Sequence, residues 1–280
     1  MRRMKTTLLI ALFILLLVSS SVSAATPLPP DEANAKAALE KSPRHREWAE
    51  VKSPGREKAL KCYVAYPERK ENAPVVIVIH EIFGATDWIK GVADQLAAEG
   101  FIAVAPDLLT GMGKNGGDTD SFGSREEVMK AVRDLKPDRV MSDLDAVREF
   151  AIKLPASNGK SASIGFCWGG TQSFAYAAHQ PKLDAAVVYY GTKPEGAAAS
   201  SINAPVMGCY GGDDARVTST VQPTTEAMKS ASKTYLPNIY DGAGHGFLRQ
   251  QDGKHGKNME AAEKAWPATI EFLKKNTEGK

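Results

Sequence analysis

Short apolar runs alternate with longer amphipathic segments along most of the chain, and each kind predicts a different element. Val75 to Ile79 is a continuous β-branched run, which is typical of a strand buried on both faces of a sheet. Leu60 to Tyr66 alternates between apolar and polar positions and predicts a half-exposed strand. Val140 to Lys153 carries an apolar stripe at helical spacing and predicts an amphipathic helix. Further strands are expected over 101–105, 161–166, 185–190, 204–210 and 234–240, and further helices over 31–39, 89–99, 171–179 and 259–274.

This alternation of strands and helices predicts an α/β fold, with a mostly parallel central sheet covered by helices on both faces. No internal repeat and no boundary between two large domains interrupts the pattern. The main irregular stretch, rich in Gly and Asp, runs from Leu108 to Gly123, soon after an expected strand. That position places it at the carboxyl end of the sheet, where open α/β proteins bind their ligands.

Residues 1–24 have the three-part pattern of a secretory signal peptide. A positive start with Arg2, Arg3 and Lys5 is followed by eleven apolar residues from Leu8 to Val18 and by small residues that end at Ala24. Eleven residues are too few to span a bilayer, which needs about 20. We therefore expect an exported protein, periplasmic or secreted, without a stable membrane anchor. The expected division is a signal peptide (1–24), an N-terminal extension with a first strand (25–58) and a main domain (59–280).

Charge and cysteine content exclude several classes of protein. Without residues 1–24, 32 basic and 33 acidic residues remain, so the mature chain is nearly neutral. A nucleic acid or an anionic membrane surface calls for a basic surplus, and we expect neither partner. Three cysteines without a C-x-x-C pair do not make a disulfide scaffold or a zinc site, and the histidines lack metal-ligand spacing. Cys62 and Cys209 lie in expected strands, and a disulfide between them requires those strands to be close.

The most informative local motif is Gly165-Phe166-Cys167-Trp168-Gly169-Gly170, which lies between an expected strand and an expected helix. It has the form Gly-x-nucleophile-x-Gly, with cysteine at the nucleophile position. The glycines allow a close approach of strand and helix, and the sharp turn points the side chain out of the sheet. A helix amino end also favours a thiolate over a thiol. A Gly-rich turn with a small buried cysteine fits the same letters, so the motif alone leaves both interpretations open.

Two later segments supply candidates for the other members of a triad. Asp213 and Asp214 follow an apolar strand and two glycines, and His245 stands in a Gly-flanked turn after another strand. The order nucleophile, acid, base is that of α/β-hydrolases. Because all three positions follow strands, one edge of the sheet would present them together. There a carboxylate can orient His245, which can then accept the thiol proton of Cys167. Either aspartate can serve as the acid.

Four motifs together resemble the dienelactone hydrolase family of α/β-hydrolases, and the resemblance covers about Leu60 to Leu273. They are His80-Glu81-Ile82-Phe83-Gly84, the cysteine motif, Gly211-Gly212-Asp213-Asp214 and Ala243-Gly244-His245-Gly246-Phe247.

The resemblance implies a role for each motif. Cys167 corresponds to the nucleophile of the family and His245 to its base. Asp214, rather than Asp213, has the spacing of the orienting acid. Glu81 corresponds to a glutamate that engages the thiol and helps it to ionise when substrate binds.

The resemblance also implies an oxyanion hole, made by the backbone N–H groups of Ile82 and Trp168, where developing negative charge needs fixed donors. Arg249 corresponds to an arginine that holds a substrate carboxylate, although a solvated surface arginine would fit its position as well. The chain departs from the family in lacking a second such arginine after Pro106-Asp107-Leu108, since none occurs before Arg125. The signal peptide is another departure. Both departures argue against an anionic lactone as the substrate.

We therefore expect a hydrolase that cleaves a small ester or lactone through a Cys-His-Asp triad and a covalent acyl-enzyme. No metal and no organic cofactor is implied, and the expected partner is a small-molecule substrate. One alternative is a ligand-binding or thiol-sensing protein that uses the same pocket, because an exported cysteine is exposed to oxidation. Another is an acyltransferase, which would use the same residues.

Overall fold

The computed structural model describes residues 26–278, and the predicted signal peptide lies outside these residues. The described chain contains eight strands and eight α-helices. The strands are β1 (Arg46–Val51), β2 (Leu60–Ala65), β3 (Ala73–Ile79), β4 (Ile102–Pro106), β5 (Ser157–Phe166), β6 (Ala185–Tyr189), β7 (Val206–Gly211) and β8 (Tyr235–Tyr240). The helices are α1 (Ala35–Lys41), α2 (Asp87–Ala98), α3 (Arg125–Asp134), α4 (Pro137–Ala151), α5 (Trp168–His179), α6 (Ala215–Thr218), α7 (Val221–Ser230) and α8 (Lys257–Thr277).

The strands form one sheet in the order β1-β2-β4-β3-β5-β6-β7-β8. Strand β2 pairs antiparallel with β1 and with β4, and all other pairs are parallel. The predicted α/β architecture, a mostly parallel sheet with helices on both faces, is confirmed. In such a sheet the strand ends that precede helices lie along one edge, so residues that follow β3, β5, β7 and β8 become neighbours.

The core consists of two layers, one on each face of the sheet. Every residue of β3 is buried, and its side chains alternate between the layers because successive side chains of a strand point to opposite faces. Val76 and Val78 pack with Trp88 of α2 and Trp266 of α8. On the other face Val75, Ile77 and Ile79 pack with α4 and α5. Each fully buried aliphatic side chain of this kind stabilises the fold by about 1.5–3 kcal/mol.

Several element boundaries differ from the sequence-based expectations. Helix α1 begins at Ala35 rather than at Asp31, whose carboxylate instead accepts a hydrogen bond from the backbone N–H of Asn34 at 2.9 Å. Strand β5 begins four residues earlier than expected, and α5 begins at Trp168, directly after the predicted nucleophile. Helices α3, α6 and α7 were not predicted. The buried side of α3 comprises only Val128 and Val132, which is too short a stripe to show helical periodicity.

The two strand cysteines are too far apart to form a disulfide. Cys62 lies in β2 and Cys209 in β7, which are five strand positions apart in the sheet. Neighbouring strands are about 4.8 Å apart, so the two strands are separated by about 24 Å, whereas disulfide-bonded Cα atoms lie within about 7 Å. Both cysteines are free thiols. Within residues 26–278, no helix combines the length and the apolar character needed to cross a bilayer.

Candidate active site

Cys167 occupies the sharp turn between β5 and α5. Its backbone has φ 56° and ψ −116°, a conformation that L-residues rarely adopt. Close packing on both sides maintains this turn. A Cβ atom on Gly165 would lie 1.9 Å from the carbonyl oxygen of Gly169, and one on Gly169 would lie 2.3 Å from that of Ile79. Glycine is therefore required at both positions. The turn places the half-buried thiol at the carboxyl edge of the sheet.

His245 and Asp214 meet at the same edge. Asp214 is the N-cap of α6, the short helix after β7, and His245 follows β8. His245 Nδ1 lies 2.5 Å from Asp214 Oδ2, which favours a proton on Nδ1 and leaves Nε2 as a free base. Asp213 is exposed and pairs instead with Lys254, with an Oδ2–Nζ distance of 3.2 Å. Of the two aspartates, Asp214 is the one that contacts the histidine.

The environment of the Cys167 sulfur favours the neutral thiol. Burial is the largest influence and raises the pKa of Cys167, and the negative charge of Glu81 raises it further. The backbone N–H groups of Trp168 and Ile82, the two predicted oxyanion donors, oppose this rise in pKa. The amino end of α5 favours the thiolate as expected, since the Trp168 N–H lowers the pKa of Cys167, but burial and the charge of Glu81 outweigh this effect. A general base is therefore needed to generate the nucleophile.

The irregular stretch that follows β4 braces the loop that carries Ile82. Gly84 has φ +75°, and a Cβ atom there would lie 2.5 Å from Thr119 Oγ1. The same hydroxyl accepts a hydrogen bond from the backbone N–H of Ala85 at 3.1 Å and donates one to Asp107 Oδ1 at 2.8 Å. Thr119 N also donates to Asp107 Oδ2 at 2.8 Å. Asp107 thus holds Thr119 against Gly84 and Ala85, in the loop that carries Ile82.

Glu81 is buried beside the thiol and contacts Arg249. Its Oε2 lies 2.7 Å from Arg249 Nε, but the N–H is not aligned with that oxygen, so the contact is an ion pair without a good hydrogen bond. Burial raises the pKa of Glu81 to about 7, and the charge of Arg249 opposes this rise. Glu81 can therefore change its protonation state near neutral pH, next to the sulfur.

The stability of the protein should depend on pH through Glu81. A carboxyl whose pKa is about 7 when folded and 4.5 ordinarily adds stability that is fully present below its ordinary pKa and lost as the pH rises through about 7. Between about pH 5 and pH 8, we expect wild type to lose about 2 kcal/mol more unfolding free energy than Glu81→Gln. Urea denaturation at both pH values measures this difference. Glu40→Gln, the same change at an exposed position of α1, should follow wild type, and equal slopes for wild type and Glu81→Gln would contradict the assignment.

Tyr190 belongs to this site but was not predicted to. It follows β6 with φ 41°, its ring centroid lies 5.1 Å from that of His245, and its hydroxyl is buried without a hydrogen-bond partner among the described residues. Burial raises the pKa of Tyr190 well above its ordinary value, and the negative charge of Glu81 adds to this rise. A tyrosine at the end of an apolar strand has the appearance of a core residue in sequence. The positive φ, which turns the ring toward the site, is visible only in the structure.

Arg249 is buried and forms ion pairs with two glutamates. Besides Glu81, it pairs through Nη1 with Oε2 of Glu32, which precedes α1. Its guanidinium carbon lies 5.1 Å from the centroid of Phe83, and that of Arg125 lies 3.7 Å from the same ring. Arg125 of α3, the first arginine after β4, thus lies against the same ring as Arg249. No sequence signal links Glu32 to Arg249, because they lie 217 positions apart.

Known proteins share both the sequence and the fold of this chain. The model of the dienelactone hydrolase family matches residues 60–277. The chain belongs to the dienelactone hydrolase family. A Salmonella typhimurium relative, provisionally named as a carboxymethylenebutenolidase, is 33% identical over 227 residues, which are 76% of this chain and 82% of the relative. Carboxymethylenebutenolidase 1 of Cupriavidus pinatubonensis is 32% identical over 182 residues, 64% of this chain and 77% of the relative.

A crystal structure of a dienelactone hydrolase-type protein from Klebsiella pneumoniae superimposes with a TM-score of 0.71 at 30% identity, covering 82% of this chain and 98% of that one. Members of the dienelactone hydrolase family have the α/β-hydrolase fold, so the predicted fold and family are both confirmed. Membership makes this chain a hydrolase of that family. Glu32 and β1 lie outside the matched residues. Among residues 26–278, no three His, Cys, Asp or Glu side chains are close enough together to hold a metal ion.

Proposed function

We propose that the protein cleaves a small ester or lactone, with Cys167 as nucleophile, His245 as general base and Asp214 as the acid that orients it. The observation that carries this proposal is the 2.5 Å contact between His245 Nδ1 and Asp214 Oδ2 at the sheet edge that also presents the strained Cys167 turn. A nucleophile, a base and an orienting group in this order are the elements of covalent acyl transfer. Membership in a hydrolase family supports the same reaction.

In the first half of the proposed reaction, His245 Nε2 accepts the thiol proton while Cys167 Sγ forms a bond to the substrate carbonyl carbon. The carbonyl π electrons move to its oxygen, and the N–H groups of Ile82 and Trp168 stabilise the resulting oxyanion. When the carbonyl re-forms, the bond to the alcohol oxygen breaks, and His245 returns its proton to that oxygen. The acyl group then remains on the sulfur as a thioester.

In the second half, a water molecule takes the place of the alcohol. His245 accepts a proton from the water, whose oxygen attacks the thioester carbonyl, and the same two N–H groups stabilise the second oxyanion. The carbon–sulfur bond then breaks, the acid leaves, and Cys167 regains its proton from His245. In the free protein the charge of Glu81 disfavours the thiolate. We further propose that Glu81 helps the neighbouring thiol to ionise once substrate binds, and that the predicted signal peptide directs the protein out of the cytoplasm.

The acyl-enzyme itself can be detected. Mixing a high concentration of the mature protein with p-nitrophenyl acetate should release a burst of about one p-nitrophenolate per chain, because acylation by an activated ester outpaces hydrolysis of the thioester. Acid quenching followed by peptide mass spectrometry should locate one acetyl group on Cys167. Cys62 and Cys209 provide an internal control, since both are fully buried and should stay unmodified. Steady turnover with no acetyl group on Cys167 at any quench time would contradict the proposal.

A further inference from the structure

Four charged side chains of alternating sign run from the thiol to the surface. Glu81 Oε2 lies 2.7 Å from Arg249 Nε, Arg249 Nη1 contacts Glu32 Oε2, and Glu32 Oε1 lies 3.5 Å from Arg125 Nη2. The side-chain exposures rise in the same order, from 3% through 8% and 39% to 50%. The inner pair is therefore fixed in the protein interior, whereas the outer pair is in contact with solvent. We call these four side chains the charge ladder.

The charge ladder borders the proposed catalytic centre. Phe83, whose ring contacts the guanidinium groups of Arg125 and Arg249, is the residue after the predicted oxyanion donor Ile82. At the other end, the charge of Glu81 acts directly on the Cys167 sulfur. A substrate that reaches Cys167 beside this loop therefore meets the ladder. The net charge of the ladder determines whether a charged substrate is attracted to the site or repelled from it.

Glu32 is the member of the ladder that lies outside residues 60–277, the residues that the family model matches. It precedes α1, and backbone hydrogen bonds dock its segment onto the turn after His245. Glu32 N donates to the carbonyl oxygen of Arg249 at 3.0 Å, and the side chain of Gln251 donates to that of Pro29 at 2.9 Å. Because the segment is held by its backbone, the Glu32 carboxylate can be changed without removing the segment.

Above the pKa of Glu81, which burial raises to about 7, the two arginines and two glutamates of the ladder carry no net charge. Arg249 already has a carboxylate on either side, and an incoming carboxylate would have to displace Glu32 or be repelled by it. Without Glu32, Arg249 and Arg125 would leave one uncompensated positive charge beside Phe83. We propose that Glu32 is a specificity-determining residue that makes the site favour uncharged esters over esters that carry a carboxylate. This inference rests on the proposed ester hydrolysis and names its substrate class.

A matched pair of esters tests the inference. Phenyl acetate and 4-carboxyphenyl acetate differ by one carboxylate, and the readout is the ratio of kcat/KM for the charged ester to that for the neutral one. At a pH well above the pKa of Glu81, where the charge of Glu81 is constant, this ratio cancels any change in thiol reactivity. We expect Glu32→Gln to raise the ratio about tenfold, because one competing charge is removed from a partly exposed site. Glu40→Gln, which removes an equal charge from the exposed face of α1, should change it by less than about twofold.

A binding measurement keeps the test independent of turnover. In a Cys167→Ala background, calorimetry should show 4-hydroxybenzoate binding about tenfold tighter when Glu32 is also replaced by Gln, with phenol as the uncharged control. If Glu32 only holds its segment in place, Glu32→Gln will lower the urea midpoint and slow both esters equally, with the ratio and the binding unchanged. That result overturns the inference. If wild type cleaves no ester, the proposed function fails, and the binding experiment alone decides the role of Glu32.

Discussion

Replacing Cys167 with alanine is expected to reduce ester turnover to the uncatalysed background, a loss of about 10⁴-fold or more in kcat. The proposed reaction passes through a bond between substrate and sulfur, and alanine offers no atom that can form it. The fold should tolerate the change, because alanine removes only one atom from a half-buried position and keeps the Cβ that the turn already accommodates. Hydrolysis of p-nitrophenyl acetate, measured alongside circular dichroism, checks both statements.

Cys209→Ala is the matched control, since it removes a thiol from the core of β7 and leaves the site intact. Its turnover should stay within a few fold of wild type. Iodoacetamide should label Cys167 in the native protein and spare Cys209, because burial raises the pKa of Cys209 to about 12 and excludes the reagent. If Cys167→Ala retains full turnover, the nucleophile is another group. Labelling of Cys167 without turnover of any ester would favour the thiol-sensing alternative.

The central layers of the fold were predictable because their signals are local. The β-branched run of β3 and the apolar stripe of α4 each lie within one short window of sequence, and both elements occur where expected. Helix α3 was not predicted, because its charged residues face solvent and its stability comes from a cap, in which Ser124 Oγ accepts a hydrogen bond from Glu127 N, and from two buried valines. Such a helix depends on tertiary contacts more than on periodicity.

The candidate site was predictable to the extent that topology determines it. Parallel strands bring the residues after β5, β7 and β8 to one edge, so the order of Cys167, Asp214 and His245 was enough to expect them there. Sequence spacing alone left two aspartates as candidates. It also gave no sign of Glu32 or Tyr190, because their contacts depend on where a distant segment docks and on one unusual backbone angle. Charge pairs between remote segments leave no periodic pattern to detect.

Asp214→Asn is expected to lower kcat by about 10³-fold or more, with a much smaller effect on KM. The carboxylate accepts a hydrogen bond from the Nδ1–H group of His245, whereas the amide of asparagine can donate a hydrogen bond to Nδ1 and so favour the ring proton on Nε2. Protonated Nε2 cannot take the proton of Cys167, whose burial keeps it a thiol. The same p-nitrophenyl acetate assay measures the loss, and the urea midpoint shows whether the fold survives.

Asp213→Asn provides a control one residue away, with the same loss of charge. Its side chain is exposed and paired with Lys254, and exposed pairs of this kind contribute about 0–1 kcal/mol to stability. Its turnover should therefore remain within about twofold of wild type. Similar losses in the two variants would mean that the charge of the loop matters rather than the contact with His245, and a loss confined to Asp213→Asn would move the acid role to that residue. Only a loss confined to Asp214→Asn is consistent with a carboxylate that acts by fixing the tautomer of the base.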